Sequence, residues 1–213
     1  MIGFSRCFAL IKKTSPAAAI PGCGLMIIAS GRLSHALTVV GALAWVYGLT
    51  TLVIYAAEKF LPRQGRTALI SFLASFMACF YLFILWLLSP LCALESFFAV
   101  SLVPVFYMAS GVTKRFDPYS IIDSFFSFSE GFEAVSLGVL LLAFALIREP
   151  LGFLSLSLPG GVQGSVALFS FKGESLLPVQ LTASSGGALL LLGYFWGIYK
   201  FMNKTREGDK NAQ

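Results

Sequence analysis

The sequence is poor in the groups that carry out chemistry in water. Of its 213 residues only 12% are Asp, Glu, Lys or Arg, and there is one histidine, His35. It contains no Ser/His/Asp set, no phosphate-binding glycine loop, and no pair of histidines or carboxylates at metal-ligand spacing. Soluble-type catalysis within this chain is therefore not expected. Four cysteines, Cys7, Cys23, Cys79 and Cys92, lie in or beside apolar segments without CxxC spacing, which defines neither a disulfide framework nor a zinc site. Met1 to Lys13 lacks a small-residue cleavage pattern, so it reads as an interfacial amphipathic turn and not as a signal peptide.

What the chain has instead is apolar surface. It is 57% hydrophobic with 21 phenylalanines and a mean hydropathy of +0.84, the composition of an integral membrane protein. The formal charge of +5 would suggest a nucleic-acid partner in a soluble chain. Here the basic residues fall between apolar spans, so they report topology and nucleic acid is excluded as a partner.

The apolar runs predict an all-α fold with six membrane crossings in one domain, residues 1–213. The first segment, Pro16 to Ser30, would reach ~23 Å as plain helix, short of a hydrocarbon core of about 30 Å. It also carries Pro21, Gly22 and Gly24, so two short pieces joined by open backbone are expected around Cys23. Ala36 to Ala57 and Thr67 to Leu88 read as ordinary spans, the second with Trp86 near its far end. Leu91 to Val112 contains Pro104, which removes one helical hydrogen bond and is expected to kink or interrupt the helix. Gly131 to Ile147 is expected to stop at Arg148-Glu149-Pro150. Leu151 to Leu177 is too apolar for a solvated linker and is placed on or in the membrane interface, with a turn at Pro159-Gly160-Gly161. Val179 to Tyr199 is the sixth span, and its small residues Ala183 to Gly187 would admit a close helix neighbour.

The charges set the orientation. With the N-terminus in the cytoplasm, the inner segments hold Arg6, Lys12, Lys13, Lys59, Arg63, Arg66, Lys114, Arg115, Lys200, Lys204, Arg206 and Lys210, while the outer ones hold Arg32, Arg148 and Lys172. This bias predicts both termini inside. The two proline-bearing segments are three crossings apart, so residues 1–89 and 90–205 enter the membrane in opposite directions, followed by a polar tail at 206–213. That is the pattern of an inverted repeat, whose interface is the usual place for a transported ion or a cofactor.

Several residues are candidates for chemistry. Cys23, between two glycines, has room for a bulky ligand such as a metal centre, although apolar segments also tolerate cysteine as a small hydrophobe. Glu130 and Glu133 share one helical face at a membrane entrance and could attract cations, or simply favour a helix N-terminus. Arg148 and Glu149 close the fifth span as interfacial anchors or as functional groups. Glu95 sits at a helix end within reach of water, and His35 lies in a turn with no catalytic role expected.

The cysteine-bearing break Ile20 to Leu25, the stretch Glu130-Gly131-Phe132, and the run Leu146-Ile147-Arg148-Glu149-Pro150-Leu151-Gly152 together resemble the Rnf/Nqr membrane-subunit family, most nearly the Rnf E and Nqr D subunits. The pattern covers about residues 15 to 205 and includes Ser15-Pro16, where members usually have Asn-Pro. The resemblance implies a subunit of an ion-translocating electron-transport complex in the bacterial inner membrane, moving Na+ or H+ and without activity alone. It implies a homologous six-helix partner of opposite topology, sharing a [2Fe–2S] cluster to which each subunit gives one cysteine from each broken helix. Cys23 falls on the first of these positions, and Tyr107 stands on the second. Three arrangements are open: a cluster with one altered ligand, recruitment of Cys79 or Cys92, or a subunit without iron. A small secondary transporter or a purely structural scaffold would share the broken-helix pattern.

Overall fold

In a computed structural model of the protein, the described residues are 16–57, 65–110, 128–160, 165–170, 184, 186–194 and 197. They form helices α1 (Pro16–Ala29), α2 (Leu33–Ala57), α3 (Arg66–Leu88), α4 (Pro90–Ala109) and α5 (Phe128–Phe153), strands β1 (Ser155–Pro159) and β2 (Ser165–Ser170), and a further helix α6 at 186–194. The protein is thus mostly helical. Helices α2 to α5 each contain a stretch long and apolar enough to cross a membrane. The expected amphipathic turns at Met1 to Lys13, the linker after Lys114, most of the sixth span and the tail lie outside the described residues.

Helix α2 is the axis of the bundle. Its apolar positions Ala36, Val39, Leu43 and Val46 recur at helical spacing and are all buried, and it packs against α3, α4, α5 and β1. Helix α3 is the peripheral one. It buries a narrow stripe, Ile70, Ala74 and Ala78, and leaves Phe72, Phe76, Phe80, Phe83 and Trp86 exposed. Lipid covers such a face, whereas small residues let the helix backbones approach on the other.

Contacts between helices fix their directions. Gly22 and Gly24 of α1 face Phe106 and Leu102 of α4, so those two helices are antiparallel. Gly138 faces Val40, and Glu149 bonds the backbone of Leu33, so α2 and α5 are antiparallel too. Gly65, with φ 83, starts α3 from a left-handed turn that a glycine adopts without penalty. Ser89 and Pro90 separate α3 from α4, with Pro90 in the first turn, where its missing N–H costs nothing.

Three expectations are corrected. Helices α1 and α4 run without a break through Pro21 and Pro104. Each proline deletes a single backbone hydrogen bond, and the packed neighbouring helices hold the rest of the ladder in place. Helix α5 does not stop at Arg148-Glu149-Pro150 but continues through Pro150 to Phe153, because both charges are buried and bonded and not solvated. Finally, the protein is not wholly α. Ser155–Pro159 and Ser165–Ser170 pair as antiparallel strands, β1 against β2, in a stretch expected to be a connection with a turn at Pro159-Gly160-Gly161.

Candidate functional site

Helix α1 ends at Ala29 and α2 begins at Leu33, and the short corner between them is gripped from several elements. The grip begins with Arg148 and Glu149, adjacent on α5 and only 2% and 1% exposed. Arg148 Nη1 donates to Ser30 Oγ at 2.8 Å and to the Ile27 carbonyl at 3.3 Å. Its Nη2 donates to the Ser184 carbonyl at 2.8 Å. The planar guanidinium thus bridges the end of α1 and the start of α6, a task its fixed fork of donors suits better than an ammonium would. Glu149 Oε2 accepts the Leu33 N–H at 2.8 Å, one of the first-turn donors of α2 that have no partner within the helix.

Further contacts close the cluster. Ser157 of β1 and Ser34 of α2, both buried, are hydrogen bonded at 3.3 Å. The Arg32 guanidinium lies 5.3 Å from the centroid of the Phe153 ring, within cation–π range. His35 is not in a turn but in the first turn of α2, where Nε2 lies 2.7 Å from Glu95 Oε2 of α4. Ser184 caps α6, its hydroxyl accepting the Gly187 N–H at 3.2 Å. Residues from α1, α2, α4, α5, β1 and the start of α6 therefore meet at one end of the bundle.

Cys23 and Tyr107 are placed differently. Gly22 and Gly24 turn toward α4, and a Cβ on Gly22 would stand 3.4 Å from the Phe106 ring. Cys23, between them, is exposed on the outside of the bundle. Tyr107 is fully buried, its ring edge-on to Tyr47 with centroids 4.8 Å apart. Next to it the Tyr47 hydroxyl donates to Ser110 Oγ at 3.0 Å, and Ser110 Oγ donates to the Tyr107 carbonyl at 2.8 Å. The thiol faces out and the phenol faces in, so the two do not form one donor set within this chain. Cys92 is buried on α4 and Cys79 is exposed on α3. Among the described residues no three His, Cys, Asp or Glu side chains converge as a metal site. The fit of this chain to a cluster bound through both Cys23 and Tyr107 is therefore poor. The backbone of Glu130 and Glu133 lies in the opening turns of α5, and their side chains lie outside the described residues.

No family model, curated protein or solved structure matches the chain.

The sequence pointed to Arg148 and Glu149 but not to their partners. Ser30, Ser34, Ser157 and the Ser184 carbonyl carry no signature of their own, since small polar residues also populate ordinary turns. The one available signal was two charges inside an otherwise apolar run, which at membrane depth call for buried partners.

Proposed function

We propose that the chain is a membrane subunit of an ion-translocating electron-transport complex of the Rnf/Nqr type, seated in a bacterial inner membrane with both termini cytoplasmic. In this reading its two halves are inverted three-helix repeats, and it assembles against a homologous subunit of opposite topology. The observation that carries the reading is the pairing of corresponding helices. Helices α1 and α4, which carry Pro21 and Pro104, pack against each other in opposite directions, and so do α2 and α5, the latter with Pro150 near its end. An inverted repeat brings its corresponding elements together in this way about its internal axis. Sequence resemblance supplies the rest: the run Leu146 to Gly152 contains the buried Arg148 and Glu149.

Cys23 is the thiol that such a partner would meet, because it lies on the open side of α1. Tyr107 belongs to the packing between α2 and α4, and no electron-transfer step is assigned to it.

Affinity isolation of the chain from its native membrane in mild detergent tests the proposal. Co-purification of flavin- and iron-containing subunits is expected, together with ion uptake into vesicles driven by reduced ferredoxin or NADH. Isolation of the chain free of redox partners, with solute uptake by the chain alone, would instead identify a secondary transporter. Within the complex, an iron signal unchanged in electron paramagnetic resonance after Cys23→Ala removes any ligand role for that thiol.

A further inference from the structure

The hairpin β1–β2 is built from an unusual stretch. No Asp, Glu, Lys or Arg occurs between Glu149 and Lys172. Leu154, with φ 52, takes the left-handed conformation immediately after α5, and its N–H bonds the Pro150 carbonyl at 3.1 Å, so the chain turns sharply at the helix end. The hairpin is therefore held close to the membrane boundary from its first residue.

Its register separates two faces. Leu158 pairs with Val166 and Ser157 with Ala167, but Leu156 pairs with Phe169, so Leu168 is an extra residue in β2. A bulge of this kind re-aims the side chains beyond it. Ser157 turns toward Ser34 of the bundle, and the alternation of the strand then places Leu156 and Leu158 on the opposite face. The bulge brings Phe169 round to join Val166 on that same outward face. Val166 is 52% exposed and Phe169 64%. Leu151 and Phe153 in the last turn of α5 are exposed too.

Two physical limits bracket where such a hairpin can sit. Bulk water is unfavourable for an uncharged, two-stranded unit with large apolar side chains on its outer face. The hydrocarbon core is closed to it, because among the described residues β1 lies against α2 and α5 while β2 is paired with β1 alone in a two-stranded sheet. The outer edge of β2 thus needs water or headgroups for its backbone groups. We propose that the hairpin is a membrane-interface element, with Val166 and Phe169 seated at the boundary between phospholipid headgroups and acyl chains and the free edge of β2 turned to the headgroup layer. This surface is separate from the electron-transport reading and would hold whichever complex the chain serves.

A photoreactive benzophenone amino acid placed at position 166 or 169 of the full-length chain, in its native membrane, tests the proposal. Illumination is expected to give phospholipid adducts at both positions, detected by mass spectrometry. Val166→Asp should reduce the adduct at position 169 several-fold by drawing the face toward water. Adducts to another polypeptide, or no lipid adduct at either position, would overturn the assignment.

Discussion

Arg148 shows how a single side chain can be costly and necessary together. Withdrawing a guanidinium from water is unfavourable by several kcal/mol, and donated bonds to Ser30, Ile27 and Ser184 help to offset that cost. Replacing it by Gln leaves buried acceptors unmet, and a loss of about 2–4 kcal/mol is expected, read as a lower melting temperature in detergent. Arg148→Lys should rescue little, because an ammonium cannot span both directions. The opposite sign is expected at Thr50, which is fully buried with a hydroxyl that finds no hydrogen-bond partner among the described residues. Thr50→Val keeps the shape and removes the unmet group, so stability should rise by about 1 kcal/mol in the same assay. The sequence singled out Arg148 and Glu149, as interfacial anchors or functional groups, but misread them as the end of a helix. Charges beside a proline normally mark a boundary, and only long-range partners could make them part of a helix.

At the level of elements, legibility followed the length of the apolar runs. Helices α2, α3 and α4 were readable to within a few residues, since runs of this length have no other stable form in a bilayer. The supposed breaks at Pro21 and Pro104 were not there, because neighbouring helices and not local propensity decide whether a proline opens a membrane helix. The hairpin was missed although Ser155 to Leu158 alternate, because the partner strand does not: Val166 to Phe169 is a continuous apolar run, and the bulge at Leu168 breaks the period of two. Helix contacts give a prediction of their own. A Cβ at Gly41 would stand 2.7 Å from the Tyr81 hydroxyl, while one at Gly48 meets nothing within 4 Å. That hydroxyl donates to the Thr38 carbonyl at 2.9 Å, so Gly41→Ala must displace the Tyr81 ring and its hydrogen bond. A loss of about 1–3 kcal/mol is expected, whereas Gly48→Ala should gain up to about 1 kcal/mol from helix propensity. Denaturation of the two variants side by side separates these outcomes.

The whole molecule is a bundle whose inside and outside are both apolar, so burial and not polarity distinguishes them. Cys92 is buried, and Cys23 and Cys79 are exposed. A membrane-permeant maleimide should therefore modify Cys23 and Cys79 at least several-fold faster than Cys92 in mild detergent, with mass spectrometry reading each site. Equal rates at all three would mean that α4 is not packed as described. Protection of Cys23 that appears only in the isolated complex would locate a partner on the open side of α1.

The corner between α1 and α2 carries a consequence for how the protein is made. Ser30 waits for Arg148, 118 residues downstream, and at a synthesis rate of about 5–20 residues per second that delay is roughly 6 to 24 s. Through this interval the insertion machinery holds α1 and a turn without its clasp. Nascent chains halted before Arg148 should accordingly let their first segment slip back out of the bilayer, whereas chains halted beyond Ser184 should retain it.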